Sequence, residues 1–287
     1  MTRAALLVGL LWGFGVATPA HAQDAQQRIE WNRPFAPFRV VGNVYYVGTE
    51  GLSAFLITGP HGHVLIDGGL PESAPIIAAN IRTLGFRLRD VRYLLLNHSH
   101  FDHAGGLAAL KRLTGAHIVA TAGEAADLAA GKTVGRPTLA GFPKVRADRI
   151  IVDGARVSVG PVVLTAILSP GHTRGGVSWT TVAAGKRVIF ATSLTVAGQP
   201  LVGDPVYPQA AADFAATFRR LRATKADVFL NFHPDFFDMA KKRAAQLVGR
   251  ADAFVDPGEL TRQLDRAESA FTQELTAQRQ QRNSPDR

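Results

Sequence analysis

Cysteine is absent from all 287 residues. The absence excludes disulfides and thiolate metal ligands, so stability has to come chiefly from core packing. No tandem repeat of fixed period, heptad pattern or long polar low-complexity tract is present either. The chain is therefore globular, and with 46% hydrophobic and only 19% charged residues it can bury a full core in one domain. Basic residues outnumber acidic ones 32 to 23, a formal net charge of +9. They are scattered, with no aromatic-basic stripe and no helix-turn-helix or finger spacing, which argues against nucleic acid as a partner. The sign supports no more than a weak attraction for anionic substrates or surfaces.

The amino terminus lacks a comfortable membrane span. Arg3 precedes an apolar run, Ala4 to Val16, that is broken by Gly9, Gly13 and Gly15; Ala20-His21-Ala22 then leads to Gln23. This is the charged, apolar and small-residue layout of a secretory signal cleaved near Ala22. Residues 1–22 are expected to leave, removing one basic residue and no acid. Residues 23–287 are expected to form a single exported domain with no stable membrane anchor.

Turn residues and hydrophobic spacing lay out the rest. Trp31-Asn32-Arg33-Pro34-Phe35 through Phe38 reads as a loop packed over the body, because its aromatic-proline content does not suit a regular helix. Strands are expected at Phe38 to Val41, Asn43 to Val47, Ser53 to Ile57 and His63 to Ile66, ending at Asp67-Gly68-Gly69. A helix follows from Pro71 to Gly85, with Ile76, Ile77, Ile81 and Leu84 at helical spacing. Val91 to Leu96 reads as a buried strand delivering Asn97 and His98 to its carboxyl end, with a helix at Ala104 to Leu113. The second half repeats the order: strands at Ile118 to Thr121, Arg149 to Val152, Val162 to Leu168, Val177 to Thr181 and Arg187 to Ala191, a helix at Ala211 to Leu221, and a buried strand at Val228 to Asn231. A helix near Glu259 to Leu275 covers the outer face, and Gln280 to Arg287 is expected to be loose. Strands inside and helices outside give an α/β fold, a four-layer αββα sandwich of two mixed β-sheets flanked by helices.

Nine histidines are present. His21 lies in the signal, His61 and His63 in a turn, and His117 at the start of a strand. The other five fall in three short stretches: His98, His100 and His103 in NHSHFDHAGG, His172 in SPGHTRGG, and His233 in NFHPDF. His98 and His100 are two apart, so on extended backbone they leave in the same direction and can grip one ion. Asp102 and His103 belong to the turn into a helix, where one of them can reach a second ion. Gly105 and Gly106 allow close backbone approach beneath the metals. Imidazole ligands suit zinc with an open fourth position. The assignment is His98, His100 and His172 to a first zinc, and Asp102, His103 and His233 to a second, which makes hydrolysis the expected activity.

The run His98-Ser99-His100-Phe101-Asp102-His103, followed by Gly171-His172-Thr173-Arg174-Gly175 and His233-Pro234, resembles the metallo-β-lactamase superfamily. The resemblance extends from about Phe38 to the helix after Pro257. Thioester hydrolases and many lactonases and phosphoesterases of that superfamily carry a bridging aspartate after a late strand, where this chain reads Phe190-Ala191-Thr192-Ser193-Leu194. With serine there, no cysteine, and His103 in the second site, the chain resembles the third subclass, B3. Gly42 to Gly48, Phe254 to Pro257 and the Trp31-Asn32 region resemble that subclass too.

The resemblance implies a bacterial periplasmic enzyme, monomeric, that opens the β-lactam ring of penicillins, cephalosporins and carbapenems and so confers antibiotic resistance. It implies a hydroxide bound between two zinc ions as nucleophile, with Asp102 directing it. Ser193 and Thr195 are expected to contact the substrate carboxylate, and Asp67 to support the histidine loop by a hydrogen bond. Asn97 either stabilises that loop or faces the pocket. The alternative is an exported lactonase or related metallo-hydrolase on the same scaffold.

Overall fold

A computed structural model describes residues 20–283 of the chain as two mixed sheets between layers of helices. The first sheet holds β1 (Phe38–Val41), β2 (Val44–Tyr46), β3 (Phe55–Gly59), β4 (Gly62–Ile66), β5 (Val91–Leu95), β6 (His117–Thr121) and β7 (Arg149–Ile151), side by side in chain order. Pairing is antiparallel as far as β4 and parallel from β4 to β7. The second sheet holds β8 (Arg156–Val159), β9 (Val162–Leu168), β10 (Val177–Ala183), β11 (Lys186–Ala191) and β12 (Val228–Asn231). All its neighbours are antiparallel except β11 and β12.

Successive strand residues point to opposite faces, and the apolar runs of the first sheet are buried on both. Phe55, Ile57, Val64, Ile66 and Leu95 face the second sheet and pack with Leu164, Trp179, Val188 and Phe190. Leu56, Leu65, Leu94 and Leu96 face the other way. Among the helices, α1 (Ala20–Trp31) lies at the amino terminus, and α2 (Ala74–Thr83), α3 (Phe101–Ala104), α4 (Leu107–Thr114) and α5 (Ala122–Ala130) follow on the first sheet's side. Ile77, Ile81, Leu107, Leu110 and Leu128 cover the outward leucines. On the second sheet's side come α6 (Ala210–Arg222) and α8 (Glu259–Asn283), while α7 (Met239–Leu247) reaches the edge strand β1, where Gln246 donates to Arg39 O and Val40 O. Phe214 and Phe218 of α6 meet Phe271 of α8 at ring separations of 5.3 and 5.7 Å. The four-layer αββα arrangement expected from the sequence is the one present.

Four local readings change. The helix begins at Phe101, inside the histidine run, and is interrupted at Gly105-Gly106, so Asp102 and His103 occupy its first turn. Trp31 ends a helix rather than opening a loop, because Ala20 to Glu30 carries neither proline nor glycine and the chain breaks only before Pro34. His63 sits in β4, as the expected strand from His63 to Ile66 has it and not in the turn with His61, and is buried with its ring against Phe86. Residues Gln280 to Asn283 continue α8. Elements α5, α7 and β8 were not anticipated, although Thr121-Ala122-Gly123-Glu124 is a capping sequence and Thr121 Oγ1 does accept the Glu124 amide. Most of the expected signal segment, residues 1–19, lies outside the described residues. Among those described, no helix is long and apolar enough to cross a membrane.

Candidate metal centre

The site forms where strands end. Asp67 follows β4, His98 follows β5, Ser193 follows β11, His233 follows β12, and His172 lies in the connection from β9 to β10. The two sheets are tied at this edge. The Trp179 indole donates to Leu96 O at 3.0 Å, while the Val177 amide and Thr192 hydroxyl both reach Asn97 O. Beneath, Gly68 and Gly106 touch backbone to backbone: a Cβ on Gly106 would sit 2.2 Å from Gly68 O, which only glycine avoids.

All six ligand candidates converge. His98, His100 and His172 each offer a ring nitrogen within 4.8 Å of the others, and so do the donor atoms of Asp102, His103 and His233. In the first group the ring centroids are 4.5 to 4.7 Å apart. The groups meet where His98 and His103 stand 4.5 Å apart, and the edge of Phe232 closes both from below.

Oxygen acceptors behind the rings set which nitrogen is free. His98 Nδ1 donates to Asn97 Oδ1 (2.8 Å), His172 Nδ1 to Thr195 O (2.6 Å) and His233 Nδ1 to Gly51 O (2.9 Å). Each acceptor has only lone pairs to offer, so the proton resides on Nδ1 and Nε2 keeps a lone pair facing the centre. Buried His100 Nε2 and both nitrogens of His103 have no hydrogen-bond partner. A divalent cation can take one nitrogen of each ring, and the nitrogens turned toward the other donors are His100 Nδ1, 3.2 Å from His172 Nε2, and His103 Nε2, 3.3 Å from Asp102 Oδ2.

The electrostatics agree. Burial lowers His98, His100, His103 and His172, with His172 reaching about 4, so these rings are neutral at pH 7. Burial alone would raise Asp102, but His103 and His233, at 3.3 and 3.4 Å from its Oδ2, outweigh it and hold the carboxyl well below the usual range. The donor set is neutral imidazole plus one anion, as zinc prefers.

Asp67 is buried and adopts φ +65°. Its two oxygens accept the Asn97 backbone and side-chain amides at 3.0 and 2.6 Å, and His103 Nδ1 lies 3.8 Å away. Asn97 thus braces the loop between Asp67 and His98 and does not face the pocket. Ser193 is 1% exposed, and its hydroxyl pairs with Thr195 Oγ1 at 3.0 Å, leaving Thr195 the more accessible of the two.

One residue escaped sequence reasoning. Glu124, fully buried in α5, accepts the Ser99 amide at 2.6 Å and the hydroxyls of Ser99 and Thr173. The Ser99 hydroxyl also lies 3.0 Å from Asp127 Oδ2. A hydroxyl has one hydrogen, so satisfying both contacts places a proton on one of the two acids. Burial pushes Glu124 up to about 7 and raises Asp127 as well. The capping sequence at Thr121 could have placed Glu124 at a helix start, but nothing local tells that it faces inward.

A family model described as the metallo-beta-lactamase superfamily matches residues 47–233, which include all six donors. The chain belongs to the metallo-β-lactamase superfamily and is a metallo-hydrolase of that fold. It is similar over nearly its full length to solved subclass B3 enzymes. BJP-1 of Bradyrhizobium japonicum, a subclass B3 metallo-β-lactamase, is 38% identical, with 87% of this chain and 97% of that one covered and a TM-score of 0.82. A metallo-β-lactamase of Cronobacter sakazakii is 40% identical over 88% of this chain and 99% of its own, with a TM-score of 0.86. Its motif is given as HARLDQ, which letter for letter has Arg and Gln where this chain has His100 and His103. Among curated proteins, a hydroxyacylglutathione hydrolase of Rhodospirillum rubrum is 33% identical over 115 residues. That match spans 40% of this chain and about a third of the relative, 36%.

Proposed function

We propose that this chain is an exported zinc-dependent hydrolase that opens the β-lactam ring. The observation that carries the reading is the pairing of two three-donor clusters, His98/His100/His172 and Asp102/His103/His233, at the ends of both sheets. Three protein donors per ion leave a position for water or substrate, as in catalytic sites rather than closed structural ones. Two zinc ions held there supply Lewis acidity and water that ionises near neutral pH. The chain's own part is orientation. Asp102 carries the negative charge that accepts a hydrogen bond from the attacking water and sets its direction. Thr195 Oγ1, backed by Ser193, presents a hydroxyl to the substrate carboxylate. The Asn97–Asp67 pair and Thr195 O keep the His98 and His172 rings from turning.

Full-length similarity to subclass B3 enzymes supports penicillins, cephalosporins and carbapenems as substrates, and antibiotic resistance as the consequence. The likeness to hydroxyacylglutathione hydrolases favours a second reading, a thioester hydrolase. It covers a much smaller part of the chain, and residues 190–194 offer no carboxylate to bridge the clusters. A panel of a penicillin, a cephalosporin, a carbapenem, a hydroxyacyl thioester and a homoserine lactone separates these. Chelator-sensitive, zinc-restored β-lactam hydrolysis is the expected result; turnover of the thioester or lactone alone contradicts it. We place the mature protein, residues 23–287, in the periplasm as a single-domain monomer. Sequencing of exported protein should begin at Gln23, and sedimentation should give one chain.

A further inference from the structure

We propose that Glu124 is a positioning residue that locks the two histidine-bearing loops of the first cluster to one another. The inference rests on the metal-centre reading above and concerns how this chain assembles it. His98 and His100 come from the loop after β5, whereas His172 comes from the β9–β10 connection more than seventy residues later. A site built from two loops is only as exact as the contact between them. Glu124 makes that contact with one carboxyl group. Its Oε2 takes the amide and hydroxyl of Ser99, the residue between His98 and His100; its Oε1 takes the hydroxyl of Thr173, the residue after His172.

The surroundings fix Glu124 itself. Thr121 caps the first turn of α5 and donates to Gly175 O, so the helix start is pinned to the same connection that carries His172. A Cβ on Gly175 would meet Thr121 Oγ1 at 2.3 Å and the Glu124 amide at 2.6 Å, so glycine there lets helix and loop touch. On the other side Thr133 Oγ1 donates to Ser99 O at 2.8 Å, closing the Ser99 backbone on both its polar groups. None of these groups is among the six donor side chains. Their effect on the metal passes through ring placement, as with other residues behind metal ligands.

The test is zinc affinity, measured by chelator competition on folded protein and compared with the thermal midpoint of the metal-free form. Glu124→Ala is expected to weaken zinc binding by about 10–100-fold, the usual cost of losing a partner behind a ligand. Glu124→Gln should restore most of it, because an amide can accept from Ser99 through oxygen and donate to the Thr173 hydroxyl. Glu259→Gln, which disrupts the buried pair with Lys242 at the start of α8, should lower the midpoint and leave zinc affinity unchanged. Should Glu124→Ala fail to fold, Thr173→Val removes the Oε1 contact alone and is expected to lower affinity several-fold, toward the low end of that range. Wild-type zinc affinity in folded Glu124→Ala or Thr173→Val overturns the proposal. Wild-type protein that takes up no zinc overturns the metal-centre reading instead, so the two failures are distinct.

Discussion

The two halves of the metal centre are held in different ways. The first cluster, His98, His100 and His172, is buried, neutral and braced from within: Asn97 and Asp67 stand behind His98, Thr195 O behind His172, and Glu124 between the loops. The second, Asp102, His103 and His233, contains the centre's one carboxylate and is braced from the periphery. His233 leans on Gly51 O and on the ring of Trp31 at 5.1 Å, and its side chain remains 17% exposed. A rigid imidazole cage beside a more open, charged one suits a division in which the first half fixes geometry and the second admits solvent and substrate. The Cronobacter motif differs from this chain at one residue of each half, His100 and His103, which shows that neither set is invariant across the fold.

The largest effect should come from the charge. Asp102→Ala removes the only anion among the six donors, and turnover is expected to fall by more than about 100-fold, beyond the usual cost of losing a supporting partner. Near-normal turnover in folded protein would break the comparison at its root. Asn97→Ala should come next, because it removes the side-chain amide from buried Asp67, leaving only the backbone amide, and frees the His98 ring. Zinc affinity is expected to drop about 10–100-fold, with the loss confined to one of the two ions in a stepwise titration. Equal loss of both ions would mean that the halves are not independently braced.

Trp31→Ala sharpens the contrast from the other side. A ring contact of this kind contributes about 0.5–1.5 kcal/mol, so a several-fold weakening of the second ion, with the first unaffected, is the expected titration result. The smallest effect is a flat one. Burial keeps the first cluster's imidazoles neutral, His172 down to about pH 4. A lowered pKa means that protons compete less with metal on these rings than on imidazoles of ordinary pKa. Between about pH 7.5 and 5.5, three imidazoles of ordinary pKa would lose roughly 1,000-fold in affinity. The first cluster should lose less than about tenfold over the same interval; a fall of three orders would contradict its neutral, buried character.

Much of this was legible from residue order. Val91 to Leu96 is apolar but for Arg92, and its Leu94-Leu95-Leu96 end is buried on both faces, with Leu95 in one core and Leu94 and Leu96 in the other. The grouping of His98, His100 and His172 apart from Asp102, His103 and His233 also emerged from spacing and resemblance, and the side chains converge in those sets. What stayed hidden depends on contacts distant in sequence. Trp31 reaches His233 across two hundred residues, and Glu124 sits in an alanine-rich helix whose capping signal says where it starts but not which way its acid points. Gly105-Gly106 announced close packing, yet the helix start at Phe101 was obscured because histidines and an aspartate are weak helix formers held there by the site.

Metal occupancy in a crystal of the mature protein grown with zinc tests the central claim most directly. The account predicts two ions, one bound by His98, His100 and His172 and the other by Asp102, His103 and His233. A structure in which those imidazoles stay bare, or in which a single ion is held by some other set of side chains, would contradict it.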